Sequence, residues 1–225
     1  EEAERKKVKN YLYSDFNDFE KYYNIPVIEV KGNLSEYQDR IAEMKPDFIL
    51  VIGWYYLIPK QMLELAPKGA AGIHGSLLPK YRGNAPFVWA IINGEKETGI
   101  SFFYFDDGID TGDIIAQSAI PIEETDTIKE VLEKAQLSSV EILLENLPGI
   151  ASGMVERRAQ DHSKATYFPR RTPDDGLIDW SWDVKRIRDF IRAQTKPYPG
   201  AYTIINDKKI IIWDADITDI SKADQ

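Results

Sequence analysis

Two stretches of the sequence combine residue types that can carry acid–base chemistry. The first is residues 74–83, which read HGSLLPKYRG, and the second is the acidic run of residues 106–113, which reads DDGIDTGD. An imidazole titrates near neutral pH, and a carboxylate beside it orients the ring and raises its basicity. His74 and one carboxylate of the acidic run are therefore a candidate general-base pair.

Composition and spacing exclude several other chemistries. The 225 residues include no cysteine and two histidines, His74 and His162, so disulfides, thiolate sites and a His-rich zinc site are excluded and no metal is expected. Ser76 lies outside a G-x-S-x-G elbow, and neither a Walker A nor a G-x-G-x-x-G sequence is present. Gly108 falls where an EF-hand needs a ligand, although another kind of calcium loop stays open.

The overall composition is that of a globular chain. Hydrophobic residues make up 43% and charged residues 29%, and no run of 18 apolar residues occurs. We expect no membrane span, no signal peptide and a cytoplasmic location. The net charge of −9 disfavours a broad nucleic-acid surface. The chain begins Glu-Glu-Ala without Met, and both of its ends are expected to be cuts through a longer protein.

The elements that must position these residues alternate along the chain. Residues 1–22 are read as loop or frayed helix. Strands are predicted at 25–30, 48–53, 70–74, 98–105 and 114–122, and helices at 35–44, 59–66, 84–94 and 127–147, the last weakened or ended by Pro148 and Gly149. This order predicts an α/β fold with a mainly parallel, Rossmann-like sheet.

The composition and the predicted secondary structure change after about residue 155. Residues 157–176 are polar and turn-rich, a helix is predicted at 183–194, and strands at 201–205 and 209–213 form a predicted hairpin. We therefore divide the chain into an α/β domain at 1–155, a linker with its helix at 156–197, and the start of a small β domain at 198–225.

The motifs resemble a known family. HGSLLPKYRG, followed by NGEKETGISFFYFDDGIDTGDIIAQ, resembles the folate-dependent formyltransferase superfamily, over about residues 46–213. The downstream RRTPDDGLIDW and IRAQTKPYPGAY most resemble the members that act on UDP-4-amino-4-deoxy-L-arabinose and related nucleotide sugars. The resemblance implies an N-terminal α/β domain and a smaller C-terminal β domain, with the first strand–helix unit and most of the C-terminal barrel missing here.

The resemblance also implies a reaction, in which a formyl group passes from the co-substrate 10-formyltetrahydrofolate to a primary amine. His74 aligns with the family's base and Asp110 with its essential carboxylate. The walls of the pterin pocket align with Tyr56, Leu57 and Ile58 on one side and with Asp106 and Asp107 on the other. Residues expected to contact the acceptor are Ser76, Lys80, Tyr81, Arg82, Arg170 and Arg171, of which Lys80 and the three arginines could clamp a pyrophosphate.

One position departs from the family pattern. The family has Asn two residues before the His, where it helps to polarise the formyl oxygen, and this chain has Gly72. Loss of one oxyanion donor typically costs about 10²–10³ in rate. A backbone N–H, a water, Asn84 or Ser76 could substitute; the enzyme could be attenuated or specialised; or the chain could retain binding alone.

The acceptor is inferred from charge and from the downstream motifs. The net charge of −9 favours a nucleotide-linked amino sugar over tRNA, which would require a basic surface. Methionyl-tRNA formylation is the second enzymatic hypothesis, and a folate- or nucleotide-sugar-binding protein without turnover is the non-enzymatic one. A homodimer is a further expectation from the resemblance.

Overall fold

The computed structural model describes residues 16–54 and 56–218. The reading of residues 1–15 as loop or frayed helix lies outside that range. The helices are α1 (Asn17–Tyr23), α2 (Gln38–Glu43), α3 (Lys60–Leu63), α4 (Pro86–Ile92), α5 (Ile128–Ser152) and α6 (Val184–Arg192). The strands are β1 (Ile49–Val51), β2 (Ala70–His74), β3 (Arg82–Gly83), β4 (Glu97–Tyr104), β5 (Ile114–Pro121), β6 (Tyr167–Phe168), β7 (Ala201–Ile205) and β8 (Lys208–Ile212).

A four-stranded sheet in the order β1-β2-β4-β5 forms the centre of the fold. The α/β class and the small C-terminal strand region are confirmed. Among the described strands, β1 and β2 pair parallel, whereas β2–β4 and β4–β5 pair antiparallel. The sheet is thus mixed where predominantly parallel pairing was expected. For β4 and β5 the physical reason is the short connection at 105–113, because a parallel crossover needs a dozen or more residues.

Side chains alternate between the two faces of this sheet. Ala71, Phe102 and Tyr104 belong to a core cluster that includes Ile142 of α5. The opposite face carries His74 and, from β4, Phe103, because neighbouring residues on a strand point to opposite sides. In the antiparallel register of β2 and β4, His74 lies across from Ser101. The sheet therefore places the imidazole on the face away from α5.

The helix α5 is longer than its predicted span of 127–147. A capping box between Thr127 and Glu130 begins the helix as predicted, and it continues through Pro148 to Ser152. The last turn packs against the core through Ile150, which is buried, and ends where Gly153 adopts a positive φ of 72°. Tertiary packing of Ile150 thus outweighs the local cost of proline, and the predicted end at Pro148 is wrong.

Two further predictions have opposite outcomes. The predicted strand at 25–30 is wrong, because this segment forms no strand in the described structure. Pro26 lacks the N–H that a sheet ladder needs, and the segment lies exposed or half-buried. The C-terminal hairpin of β7 and β8 is confirmed, and its turn residues Asn206 and Asp207 both have positive φ.

The C-terminal part of the described chain shares a core with the α/β part. One buried cluster contains Ile91 of α4, Ile128 of α5, Phe190 of α6 and Ala201 of β7. A second link is the short parallel pairing of β3 with β6, which draws the segment after α5 against the end of the HGSLLPKYRG motif. The domain boundaries at 155 and 197 stay a prediction.

Candidate active site

His74 stands at the end of β2 and is buried, with 8% of its surface exposed. Its Nε2 lies 2.7 Å from the carbonyl oxygen of Tyr81, and its Nδ1 lies 3.6 Å from Oδ2 of Asp110. The ring of Phe103 contacts the imidazole edge-on, with centroids 6.4 Å apart. The expected pairing of His74 with a carboxylate of the acidic run is therefore present in the structure.

The hydrogen bond to Tyr81 determines the tautomer of His74. A backbone carbonyl oxygen only accepts, so Nε2 must carry the proton and donate it. In the neutral ring Nδ1 is then unprotonated and faces Asp110. These two basic atoms lie 3.6 Å apart with no proton between them, so a proton from a third group can be held there.

Asp110 is positioned by strained backbone and by a specific donor. It adopts a positive φ of 52°, which is uncommon outside glycine and tolerated by Asp. Its Oδ2 accepts a hydrogen bond of 2.7 Å from the backbone N–H of Gly83. The tripeptide 81–83 therefore contacts both members of the pair, accepting from His74 at one end and donating to Asp110 at the other.

A cleft of about 290 Å³ adjoins the Asp110 side of this pair. One wall is formed by Trp54, Tyr56, Leu57 and Ile58, and the other by Phe103, Phe105 and residues 106–110. Lys60 and Asp107 join the two walls by an ion pair of 2.7 Å, and Asp107 raises the pKa of Lys60. The structure thus brings together all five residues expected to line the pterin pocket: Tyr56, Leu57, Ile58, Asp106 and Asp107.

Three residues expected to bind the acceptor turn inward instead. Ser76 is 1% exposed and donates to the carbonyl oxygen of Lys80. Arg82 is 1% exposed, and all of its guanidinium nitrogens have protein partners. The Tyr81 hydroxyl donates to Glu95, and burial together with this bond raises the pKa of Tyr81 to about 12. Internal contacts explain all three, so we omit them from the acceptor site proposed below.

The two adjacent arginines differ in their surroundings. The guanidinium of Arg171 donates to the carbonyl oxygen of Asp175 and to the side chain of Gln194, and it stacks on Trp89 at 4.7 Å. Burial lowers the pKa of Arg171 below its ordinary value. Arg171 therefore anchors the segment 171–175 to the residues that follow α6. Arg170 and Lys80 are exposed, and they remain the candidates for binding an anionic acceptor.

The backbone around Gly72 explains why this position has no side chain. A Cβ built there would lie 2.5 Å from the carbonyl oxygen of Val51 and 2.7 Å from the ring of Phe105. Phe105 and β1 thus occupy the space that an asparagine would need. Any stabilisation of an oxyanion at this site must come from groups other than residue 72.

Gln160 is a buried linker residue that no sequence pattern indicated, and it lies between Asp110 and Arg82. Its amide nitrogen donates to the carbonyl oxygens of Asp110 and Gly112, at 3.0 and 2.6 Å. Its amide oxygen accepts from Nε and Nη2 of Arg82. Gln160 lies in a polar, turn-rich segment that shows no periodicity, so no local pattern singles it out.

The described part of the chain holds neither a candidate metal site nor a candidate membrane span. Within residues 16–54 and 56–218, no group of three or more His, Asp or Glu side chains is arranged to hold a metal ion. Across the same residues, no helix combines the length and the apolar character needed to cross a membrane.

Comparison with known proteins gives matches over most of the chain. The family profile described as "Formyl transferase" matches residues 16–147, and the profile of its C-terminal domain matches residues 170–225. A methionyl-tRNA formyltransferase of Desulforamulus reducens is 39% identical over 196 residues, which are 87% of this chain and 62% of that protein. The chain therefore spans less than two thirds of this curated relative.

Solved structures share the fold. The methionyl-tRNA formyltransferase of Clostridium thermocellum superposes with a TM-score of 0.69 at 27% identity, covering 89% of this chain and 86% of that one. A 4-N formyltransferase of Francisella tularensis superposes with a TM-score of 0.76 at 23% identity, covering 91% and 83%. The second likeness concerns the fold alone.

Proposed function

The chain belongs to the formyl transferase family, and we propose that it transfers a formyl group from 10-formyltetrahydrofolate to a primary amine. The observation that carries the proposal is the pairing of His74 Nδ1 with Asp110 Oδ2 at 3.6 Å beside an open cleft. An amine attacks a carbonyl only as the free base, and the attack leaves a proton to be removed. Nδ1 and Oδ2 are two acceptors positioned to receive that proton.

The cleft suits a flat, partly polar ring system. Trp54 and Tyr56 present aromatic surface on one wall, with ring centroids 5.9 Å apart, and Phe105 does so on the other. Asp106 and Asp107 contribute carboxylates that can accept from the N–H groups of a pterin. These residues would hold the folate, whose chemical contribution is an activated formyl group on nitrogen.

His74 has two tasks in this proposal. Its Nδ1 takes the proton of the attacking amine while Nε2 stays bound to the carbonyl oxygen of Tyr81. The resulting imidazolium is held by Asp110, and its Nδ1–H can donate to the developing oxyanion before passing to the departing nitrogen. This second task supplies part of the stabilisation that Gly72 cannot.

The activity is tested by following release of tetrahydrofolate with an amine acceptor present. We expect turnover by the wild type and its loss in His74→Ala and Asp110→Asn. Asp113→Asn is the matched control, because Asp113 lies in the same loop and its backbone oxygen, not its side chain, bonds to β4. Unchanged turnover in folded His74→Ala or Asp110→Asn protein would refute the assignment.

Two acceptor classes each have a specific observation in their favour. A nucleotide-linked amino sugar fits the net charge of −9 and the exposed cations Lys80 and Arg170, which could bind a diphosphate. Aminoacyl-tRNA is favoured by the 39% identity to a methionyl-tRNA formyltransferase. The inward-facing Arg82 and Arg171 weaken the case for an extended phosphate clamp.

A comparison of initial rates separates the two classes of acceptor. Initial rates are measured with UDP- and dTDP-linked amino sugars and with methionyl-tRNA, at 50 and 200 mM salt. Transfer to tRNA with a steep loss at the higher salt concentration favours the second acceptor, because phosphate contacts release counterions. Transfer to the sugars that falls in Lys80→Ala and Arg170→Ala favours the first.

A further inference from the structure

We propose that Gln160 and Arg82 act as positioning residues for Asp110, so that the segment after α5 determines the geometry of the catalytic pair. The inference rests on the proposed function for the roles of His74 and Asp110. It starts from an observation that this function leaves unexplained. A fully buried arginine, 1% exposed, lies between two residues that contact the pair, yet it contacts neither His74 nor Asp110 itself.

The first step is the connection from Arg82 to Asp110. Arg82 donates through Nε and Nη2 to the amide oxygen of Gln160, at 3.2 and 2.6 Å. The amide nitrogen of Gln160 then donates to the backbone oxygens of Asp110 and Gly112. Gln160 is 6% exposed and uses both ends of its amide, so it clamps the two carbonyls that flank Thr111.

The clamp formed by Gln160 restrains an uncommon backbone conformation. Asp110 has a positive φ of 52°, which persists only where the surroundings hold it. Its carboxylate is aimed by the N–H of Gly83, and its carbonyl oxygen by Gln160. Release of the carbonyl would let residue 110 relax, and its Oδ2 would leave the 3.6 Å separation from Nδ1 of His74.

The groups that hold Arg82 in place lie in the linker. The backbone N–H of Arg82 donates to the carbonyl oxygen of Thr166 at 2.8 Å, and β3 pairs with β6. Nη1 of Arg82 donates to the Tyr167 hydroxyl, and Nη2 lies 3.0 Å from Nδ1 of His162. The segment 160–168 therefore holds Arg82 from both its backbone and its side chain.

The test compares Gln160→Ala with Gln160→Glu and with the control Gln194→Ala. Gln194 is also buried, at 7% exposure, and also bonds an arginine and a backbone carbonyl, but it contacts neither residues 81–83 nor Asp110. Glu at 160 keeps an acceptor for Arg82 but loses the donor to Asp110. We expect both Gln160 variants to lower kcat by about 10- to 100-fold, with little change in KM for the formyl donor. Gln194→Ala should keep kcat.

Two readouts separate positioning from general stability. Because the clamp acts through Asp110, Gln160→Ala combined with Asp110→Asn should be no slower than Asp110→Asn alone. The chain has two histidines, so ring ¹⁵N NMR resolves His74, and its shifts should move in the same direction in Gln160→Ala as in Asp110→Asn. This measurement needs no turnover. It tests the clamp even if the wild type transfers no formyl group.

The inference is overturned by any of three results. These are multiplicative losses in the double variant, unchanged His74 shifts in folded Gln160→Ala or Gln160→Glu protein, and a kcat of Gln160→Glu equal to that of the wild type. Should Gln160→Ala fail to fold, Gln160→Glu carries the test, because it retains the Arg82 partner.

Discussion

Gly72→Ala should destabilise the protein although it adds a single methyl group. The new Cβ would lie 2.5 Å from the carbonyl oxygen of Val51, about 0.9 Å short of the 3.4 Å at which ordinary contact begins. Val51 pairs with Gly72 in the β1–β2 register, so its carbonyl cannot retreat without disturbing the ladder. Overpacking and a weakened backbone hydrogen bond together predict a loss of roughly 2–4 kcal/mol.

The assay is equilibrium unfolding in urea, followed by tryptophan fluorescence. Gly149→Ala in α5 is the control, because its Cβ would meet Val155 at an ordinary 3.6 Å. That variant should be more stable than the wild type by about 0.5–1 kcal/mol. Adding Phe105→Leu to Gly72→Ala should recover part of the loss, because it removes the ring contact and leaves the carbonyl contact.

A Gly72→Ala protein within about 0.5 kcal/mol of the wild type would refute this reasoning. The result also bears on catalysis, since Gly72→Asn installs the residue that the family resemblance leads us to expect at this position. If the backbone leaves no room for a Cβ, that variant loses stability and does not gain rate. A faster Gly72→Asn enzyme would show that β1 and Phe105 move enough to accommodate the new side chain.

Three other predictions follow from single contacts. His74→Ala and Asp110→Asn should each lower formyl transfer by about 10²–10⁴-fold in steady-state assays, because proton removal is lost. Tyr81 has a folded pKa of about 12, above its unfolded value, so the unfolded chain releases this proton first and stability falls as pH rises from about 10 to 12. Tyr81→Phe should lack this loss, worth roughly 2–3 kcal/mol, in urea titrations across that range. Thr127→Ala removes the N-cap of α5 and should cost about 1 kcal/mol in unfolding free energy.

Each of these has a contrary outcome. Residual transfer above one tenth of wild type in His74→Ala would remove the base assignment. An alkaline decline identical in Tyr81→Phe and wild type would mean that Tyr81 does not carry the effect. A neutral Thr127→Ala would indicate that the tertiary contacts of α5 hold its first turn without the cap.

Elements with strong local signals were predictable. The capping box at Thr127 and Glu130 marked the start of α5, and the hairpin turn at 206–207 separated two β-branched runs. The placement of His74 and Asp110 followed from the resemblance of two motifs, and the structure brings these residues within 3.6 Å. The wrong predictions concern positions where contacts between distant segments determine the structure. Pro148 is an example, because packing of the buried Ile150 keeps the helix continuous past the proline.

The residue types available for chemistry are evident from the amino-acid sequence: two imidazoles, no thiol, and one motif pair that marks the family. Which side chains face the cleft depends on folding. Arg82 and Arg171 have the same charge as Arg170, but their guanidinium groups donate to the buried side chains of Gln160 and Gln194. Gln160 and the carbonyl of Val51 matter because folding brings them against Asp110 and Gly72, which are distant from them in the sequence. A local pattern reports propensity and periodicity, whereas burial and hydrogen-bond pairing depend on segments that meet only when the chain folds.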